Sequence, residues 1–282
     1  MNKSVTLRLF TVLPTCILSR IAGAAARVPF PQPIMKAFIS WYSKRYGVSE
    51  EYEVPPQGFR TFDEFFTRRL KKGARTVARA PLAVVSPVDG RIQRYGAIED
   101  TTLIQAKGIT YTLDDLIPSP TAALFRGGSF MTLYLAPGDY HRIHAPVDGT
   151  ITGYFNIPGR LFTVQEWMVA RQPLLYARNE RIITYIAAEA GTVAVCKIGA
   201  FNVGRITLAY CDERTNRMFR TRRERFFPSG DGVPVKAGDE IGAFHLGSSI
   251  ILLFQNNAVR FNQIPYETTV RMGASIGTLR RR

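Results

Sequence analysis

The stretch PVDGRIQRY, residues 87–95, returns almost unchanged as PVDGTITGY at residues 146–154. An Asp-Gly pair between short apolar runs is a strong signal for a tight β-hairpin turn. One interpretation is that two unrelated hairpins use the same favourable turn, and the other is a duplicated β-motif. The matches extend beyond the turn, to Ile92 and Tyr95 and their counterparts in the second copy, and this favours the duplication.

The rest of the chain beyond residue 80 has the same β character. Runs such as AVVSPVDGRIQRYG, SFMTLYLA and GSSIILLF are rich in β-branched and aromatic residues, and Asp-Gly, Pro-Gly and Gly-Gly turns separate them. We therefore predict an α+β fold in which a β-rich main domain with a duplicated β-motif, residues 81–282, follows N-terminal membrane-associated helices.

The N-terminal part of the chain has a different composition. Residues 1–45 contain seven Lys and Arg, no Asp or Glu, and many large apolar side chains. Within them, Ile34, Phe38 and Trp41 share the spacing of one helix face, which predicts an amphipathic helix over 33–46 that ends at Gly47. No apolar run approaches the roughly 20 residues of a membrane-spanning helix.

Cations interleaved with large apolar groups suit the surface of a bilayer. We therefore interpret residues 1–47 as amphipathic helices that lie on a membrane, with an ordinary core-packing helical hairpin as the alternative. Residues 48–80 form a polar linker and a short helix over TFDEFFTRRLKKG, which Thr61 and Glu64 begin as a capping box and which Gly73 closes.

Composition narrows the choice of partners and compartment. The chain has 282 residues, a net charge of +15 and a basic isoelectric point near 10.1. Such a surface favours anionic partners, and the apolar N-terminal segment favours anionic lipid over nucleic acid. The three cysteines, Cys16, Cys196 and Cys211, lack the Cys-x-x-Cys spacing, which favours a reducing compartment and argues against zinc.

Few side chains in the sequence are suited to chemistry. His141 and His144 lie in LAPGDYHRIHAPVDG, and a His-x-x-His pair would need further ligands to hold a metal. A nucleophilic triad needs a hydroxyl, a base and a carboxylate. The sequence offers Ser248 or Ser249, one of these two histidines, and Asp89 or Asp148. The alternative is that the histidines only form hydrogen bonds within a turn.

The serine lies in an unusual setting, GAFHLGSSIILLF at residues 242–254. No Gly-x-Ser-x-Gly motif surrounds it, which argues against an α/β-hydrolase. The carbonyl of Gly247 is unhindered, so the hydroxyl of Ser248 could attack the peptide bond before it and cleave its own chain. His245, three residues upstream of Ser248, is interpreted as a strand-facing side chain.

Eight motifs in order resemble those of phosphatidylserine decarboxylases of the bacterial and mitochondrial type. They are RTFDEFFTRRL, PVDGRI, QAKGITYTLDDL, LFRGGSF, YLAPGDYHRIHAPVDG, LFTV, ARNER and IGAFHLGSSIILLF. The resemblance implies a pyruvoyl enzyme made by self-cleavage between Gly247 and Ser248, with a β chain of residues 1–247 and an α chain of residues 248–282. Ser248 would become the pyruvoyl cofactor, without metal or pyridoxal phosphate.

The resemblance also implies roles for individual residues. In the self-processing triad, His144 takes the proton of Ser248, and Asp89 orients and stabilises the imidazolium. Asp148 is the counterpart of Asp89 in the second copy of the repeat, but the family places its aspartate in the first copy. His141 is the candidate proton donor in decarboxylation.

The implied reaction converts phosphatidylserine to phosphatidylethanolamine and CO₂ through a Schiff base with the pyruvoyl group. Tyr134 and Tyr140 are candidates to contact the headgroup, with core or rim packing as the alternative. Such a lyase of phospholipid biosynthesis is expected to be a peripheral protein on the cytoplasmic face of the bacterial inner membrane. A homodimer is compatible with the sequence, and no nucleic acid is expected as a partner.

Two other functions fit parts of the sequence. An interfacial serine hydrolase would use the same triad without cleaving itself. VKAGDEIGAF, residues 235–244, resembles a turn of lipoyl- and biotinyl-like carrier modules but lacks the lysine that carries their prosthetic group. The closing LRRR at 279–282 would add to membrane attraction or form a basic tail.

Overall fold

The computed structural model describes residues 13–106, 108–201, 205–218, 221–245 and 247–281. Within these ranges, three helices precede the strands: α1 (Thr15–Ala25), α2 (Gln32–Tyr46) and α3 (Phe62–Phe66). Helix α2 ends at Gly47, whose φ of 65° is the left-handed conformation that favours glycine. Residues 1–12 of the predicted membrane segment lie outside the described residues.

Helix α3 is shorter than the sequence predicts. The side chain of Thr61 caps it through the Glu64 N–H, as expected, but the helix ends at Phe66 and does not continue to Gly73. Arg68 explains the early end, because its buried guanidinium donates to the backbone carbonyls of Gly138 and Asp139 in the β domain. A longer helix would have to give up this contact.

The main part of the chain consists of short strands with a few single helical turns. The strands are β1 (Ala83–Val85), β2 (Gly90–Ala97), β3 (Thr102–Ala106), β4 (Ile109–Thr112), β5 (Ser129–Tyr134), β6 (Arg142–His144), β7 (Gly149–Ile157), β8 (Arg181–Ala188), β9 (Gly191–Ile198), β10 (Ile206–Leu208), β11 (Arg223–Phe226), β12 (Val233–Val235), β13 (Glu240–Phe244), β14 (Ser249–Phe254), β15 (Val259–Phe261), β16 (Thr269–Val270) and β17 (Ser275–Leu279). The helical turns are α4 (Leu113–Leu116), a 3₁₀ helix (Pro120–Phe125), α5 (Glu166–Val169) and α6 (Leu175–Arg178). The expected β-rich domain is confirmed.

One large antiparallel sheet organises these strands. In the described residues its order is β11-β7-β8-β9-β14-β5-β2-β16, and β12 also pairs with β7. Two three-stranded sheets, β1-β17-β15 and β10-β13-β6, pack with it. Strand β14 lies between β9 and β5, and all of its residues are buried.

The two copies of the repeated motif occupy corresponding positions. Each Asp-Gly pair begins a long strand, β2 or β7, and each strand has a register irregularity after its isoleucine. The aspartates accept matching backbone hydrogen bonds: Asp89 from the Met272 N–H and Asp148 from the Ala237 N–H. The repetition in the sequence therefore coincides with repeated hydrogen bonding.

The large sheet separates two apolar cores, and β14 contributes to both. Ile250 and Leu252 lie in one core, while Ile251 and Leu253 lie in the other. Alternation along a strand produces this division. Among the described residues, no helix has the length and apolarity needed to cross a bilayer.

Candidate active site

The peptide bond between Gly247 and Ser248 lies just before the central strand β14. The carbonyl of Ser248 accepts a hydrogen bond of 2.9 Å from the Leu135 N–H, which fixes the backbone at this point. The side chains of Ser248 and Ser249 are both fully buried, and neither hydroxyl has a hydrogen-bond partner among the described residues. A buried polar atom without a partner is destabilising, and of the two hydroxyls that of Ser248 follows Gly247 directly.

His141 lies beside Gly247. Its Nδ1–H donates to the Asp139 carbonyl at 2.8 Å, and its buried Nε2 has no hydrogen-bond partner. A Cβ built on Gly247 would be 3.8 Å from this Nε2. Burial, followed by the charge of Arg68, lowers the pKa of His141 to about 3. The imidazole is therefore neutral at pH 7, with its free lone pair close to the Gly247–Ser248 bond.

His144 has both ring nitrogens occupied. Its Nδ1–H donates to the Gly238 carbonyl at 2.7 Å, so Nε2 carries the lone pair and accepts from the Tyr140 hydroxyl at 3.0 Å. Burial lowers the pKa of His144, while the charges of Glu240 and Asp89 act in the opposite direction. His144 is therefore a neutral imidazole in the tautomer that a general base requires.

Asp89 is held by groups other than His144. Its carboxylate accepts from the guanidinium of Arg75, with Nε to Oδ1 at 3.0 Å, and from the Met272 N–H at 2.7 Å. The Gly238 carbonyl orients the His144 ring, which was the task expected of Asp89. Asp89 acts on His144 through its charge, because its carboxylate lies close enough to raise the pKa of His144.

The two aspartates of the repeat differ in exposure. The side chain of Asp89 is 11% exposed, whereas that of Asp148 is 64% exposed and forms an ion pair of 3.7 Å with Lys236. A buried carboxylate exerts a stronger field on its surroundings than one in water. Of the two candidates, Asp89 is the one placed to influence a buried histidine.

An apolar cleft of about 910 Å³ leads from the N-terminal helices to Gly247. Its walls carry no charged side chain among the described residues: they comprise Ala22, Ala25, Ala26, Phe30, Ile34, Met35, Phe38, Tyr42, Tyr46, Phe62, Phe66, Tyr134, Leu135, Pro137, Thr163, Val164, Gln165, Trp167, Ala200, Phe201 and Gly247. The ring of Phe66 packs against His141 with centroids 4.1 Å apart. Of the two candidate headgroup residues, Tyr134 lines the cleft. Tyr140 does not line it but is buried, with its hydroxyl bonded to His144.

His245 and Leu246 directly precede Gly247 in the chain. Nδ1 of His245 lies 2.7 Å from a carboxylate oxygen of Asp63, and its Nε2 lies 3.2 Å from the Thr207 hydroxyl, so His245 links α3 to β10. Leu246, which follows it, lies outside the described residues. No group of three or more His, Cys, Asp or Glu in the described part of the chain is arranged to hold a metal ion.

Sequence reasoning missed Arg75 and the Gly238 carbonyl. Arg75 lies in the linker and has no motif, so only the fold reveals that it binds Asp89. A sequence pattern could have pointed to Gly238. The tripeptides KAG at residues 236–238 and RMG at residues 271–273 both precede a β strand, and each supplies the N–H group that binds one of the two repeated aspartates.

A buried serine, two neutral histidines and an adjoining apolar cleft are features expected of an enzyme site that accepts a largely apolar molecule. Comparison with known proteins gives the family. The model of the family described as phosphatidylserine decarboxylase matches residues 62–278. The chain is 42% identical over 282 residues to a phosphatidylserine decarboxylase proenzyme of Myxococcus xanthus, covering 99% of this chain and all of that protein.

Two further relatives have the same name. The sequence identity is 38% over 282 residues for the protein of Anaeromyxobacter, covering 98% of this chain and 99% of the relative. It is 40% over 276 residues for the protein of Methylococcus capsulatus, covering 95% of this chain and 94% of the relative. The chain belongs to the phosphatidylserine decarboxylase family. It is accordingly an enzyme, a lyase that releases CO₂.

Proposed function

We propose that this chain converts phosphatidylserine to phosphatidylethanolamine and CO₂, using a pyruvoyl group formed from Ser248. The relatives are named proenzymes, which supports a precursor that must be processed. The observation that carries the proposal is the fully buried hydroxyl of Ser248, which lacks a partner and follows a glycine at the end of an apolar cleft.

The surroundings of Ser248 fit a small carbonyl-containing group. The His141 Nε2 is buried and has no hydrogen-bond partner among the described residues, so its lone pair is available to a reacting molecule. Gly247 lines the cleft and has no side chain, which leaves room for a substrate amine. The apolar walls would hold the acyl chains of the lipid and exclude water.

The chain's own residues would perform self-cleavage. The Ser248 Oγ attacks the Gly247 carbonyl carbon, a C–O bond forms and the C–N bond breaks, giving an ester. Loss of the Ser248 α-proton then breaks the Cβ–Oγ bond and releases a carboxylate at Gly247. The dehydroalanine left at 248 takes up water and loses ammonia, which leaves a pyruvoyl group.

The removal of the Ser248 hydroxyl proton needs a base and groups that hold this base in place. His144 is neutral and its Nε2 carries a lone pair, so it can accept the proton of Ser248 once the Tyr140 hydroxyl gives up its bond to that nitrogen. The carboxylate of Asp89 then stabilises the imidazolium through its field, and the Gly238 carbonyl keeps the ring in place. Asp89, His144 and Ser248 are thus proposed as the self-processing set.

His141 is proposed to act in decarboxylation. When present, the pyruvoyl group would bind the substrate amine as a Schiff base and accept the electrons released with CO₂. Nε2 of His141 lies close to Gly247, which lines the cleft, and would take a proton from an incoming ammonium group. It can then return that proton to the substrate carbon after CO₂ has left.

The N-terminal helices are proposed to rest on the bilayer that holds the substrate. Large apolar side chains of α1 and α2 are exposed: Ile17, Ile21, Ile34, Phe38, Trp41 and Tyr46. Of these, Ile34, Phe38 and Tyr46 line the apolar cleft, so a lipid could reach Gly247 while its tails remain in an apolar setting. No disulfide joins the cysteines in the part of the chain that the structure describes, which fits a reducing compartment and the proposed peripheral location on the cytoplasmic face of the bacterial inner membrane.

The test is the fate of the chain when Ser248 is changed. Ser248→Ala is expected to remain a single chain of 282 residues by intact mass and to release no CO₂ from phosphatidylserine. Ser249→Ala is the matched control, because the alternation along β14 places that side chain on the other face of the strand, and it should still cleave. An active preparation that contains only uncleaved, unmodified chain would instead favour the interfacial serine hydrolase.

A further inference from the structure

A second cleft of about 910 Å³ lies on the other side of helix α1. The helical spacing of α1 directs Ala22, Ala25 and Ala26 to the apolar cleft, and Arg20, Gly23, Ala24 and Arg27 to this second one. Six arginines line it: Arg20, Arg27, Arg205, Arg214, Arg217 and Arg223. We call it the arginine cleft.

Carboxylates compensate only part of this charge. Asp63 and Asp212 also line the arginine cleft, and Asp63 already contacts His245 at 2.7 Å. Glu213, buried behind the wall, forms ion pairs with Arg217 and Arg223. The ion pairs among the described residues include none that involves Arg20, Arg27 or Arg214, so the cleft keeps an excess of positive charge.

Arg205 lies in the middle of this charge. Its contact with Asp63 is long, at 4.0 Å, and its buried Nε has no hydrogen-bond partner in the part of the chain that the structure describes. Burial lowers the pKa of Arg205, and the charges of Arg27 and Arg214 lower it further. Arginine does not deprotonate in proteins, so an anion would relieve this crowding and satisfy the unused donor.

A phosphate group matches these donors. Guanidinium groups present paired N–H donors at the spacing of phosphate oxygens, and charge-assisted bonds of this kind are strong. The apolar cleft, by contrast, has no cation on its described walls. The two clefts are therefore chemically distinct, although both border the helix that we expect to face the membrane.

We propose that the arginine cleft binds the phosphate of a second, non-substrate anionic phospholipid and thereby selects anionic membranes. The proposal rests on the membrane association in the proposed function. It requires only that α1 lies at the bilayer surface, where a headgroup phosphate can enter the arginine cleft while the substrate enters from the opposite face of the same helix.

The experiment measures vesicle binding by flotation, with phosphatidylcholine vesicles that contain or lack phosphatidylglycerol. The double variant Arg205→Gln/Arg214→Gln is compared with Arg126→Gln/Arg260→Gln, which removes the same charge from exposed positions outside the cleft. A basic residue near an anionic surface contributes about fivefold to binding, so the cleft variant should bind phosphatidylglycerol vesicles about twentyfold more weakly. Neither variant should change binding to phosphatidylcholine alone.

Three results would overturn the proposal. An equal loss in the control variant would indicate diffuse attraction by the whole basic surface. A loss of kcat/KM for phosphatidylserine dispersed in neutral detergent would mean that the arginine cleft holds the substrate's own phosphate. Binding of inorganic phosphate that depends on Arg205 and Arg214, without any vesicle effect, would indicate a soluble ligand.

Self-cleavage of each variant, read by intact mass, reports whether it has folded. It also separates this proposal from the proposed function. If wild-type protein cleaves and is active but binds neither kind of vesicle, the membrane part of the proposed function fails. If wild-type protein binds phosphatidylglycerol vesicles and the cleft variant binds them equally, only the arginine cleft proposal fails.

Discussion

His141 and His144 are three residues apart, yet their environments give them different capacities. Both are buried, and burial keeps both neutral. His141 has a free Nε2 next to Gly247, whereas Nε2 of His144 accepts the Tyr140 hydroxyl. An unbonded ring nitrogen beside Gly247 suits a group that handles substrate protons, and we propose that the oriented ring of His144 handles the serine proton once.

The first prediction separates these two roles. His144→Ala should leave the precursor uncleaved, because the change removes the imidazole that is proposed to take the Ser248 proton. His141→Ala should cleave to nearly the wild-type extent but lose turnover by about 10²-fold or more, the usual contribution of a general acid or base. Intact mass measures cleavage, and CO₂ release measures turnover. If His141→Ala lost both to the same extent, this division of roles would be wrong.

Lys197 illustrates how one buried cation influences stability. Its side chain is fully buried on β9, and its ammonium group donates to the Thr184 hydroxyl. Burial lowers the pKa of Lys197 to about 7. An unfolded lysine has a pKa near 10.4, so between the two values the unfolded chain binds more protons than the folded chain.

The second prediction follows from this difference. The free energy of unfolding should rise with pH between about 7 and about 10, by roughly 4 kcal/mol from Lys197 alone, and this contribution should be absent in Lys197→Met. Urea unfolding at several pH values measures it, as the difference between the variant and the wild type. Lys71→Met, at an exposed position, is the control. A constant difference across this pH range would contradict the prediction.

Among the elements, helix α2 has two faces with different surroundings. Met35 and Tyr42 are buried against the aromatic side chains of α3, whereas Phe38 and Trp41 are 42% and 56% exposed and stack on each other. An exposed pair of large rings beside an apolar cleft is unfavourable in water. At a bilayer surface the same pair would be stabilising.

The third prediction tests this face of α2. Phe38→Ser/Trp41→Ser should weaken binding to lipid vesicles by about 3 kcal/mol, since burial of a large apolar side chain contributes roughly 1.5 to 3 kcal/mol. Phe226→Ser/Tyr266→Ser removes two rings of similar exposure elsewhere and should leave vesicle binding unchanged. A similar loss in both variants, seen by flotation, would mean that α2 has no special role at the membrane.

The elements also show where sequence patterns succeed and where they fail. Helix α2 follows from its apolar spacing and from Gly47, both of which are local signals. Helix α3 was predicted too long, because its end depends on Arg68 reaching carbonyls about seventy residues further along the chain. Local propensity contains no information about such a distant acceptor.

At the scale of the whole molecule, local sequence patterns again have predictive value, whereas contacts between distant residues do not follow from them. The resemblance in the motifs led to the prediction of Asp89, His144 and Ser248, and the β character of the domain followed from short β-branched runs. The order of the strands could not be derived, because Ser249 pairs with both Tyr134 and Ile198, which are distant in sequence. The Arg75–Asp89 pair could not be predicted from the sequence either, because no motif distinguishes Arg75 from the other arginines of the chain.

The position of β14 determines what cleavage would do to the molecule. The proposed α chain, residues 248–282, contributes β14 between β9 and β5, β16 beside β2, and β17 beside β1. Every residue of β14 is buried, and its side chains enter both apolar cores. The small chain should therefore remain in place after the backbone is cut, because its release would expose both cores.

The fourth prediction concerns this two-chain state. In native buffer the two chains should elute together, and in urea the small chain should be released only in the transition in which the sheet unfolds. Because unfolding then separates two molecules, the urea midpoint of mature enzyme should rise with protein concentration, whereas that of uncleaved Ser248→Ala should not. Circular dichroism and gel filtration at matched urea concentrations measure both quantities. Release of the small chain well before the sheet unfolds would show that β14 is held less firmly than its burial implies.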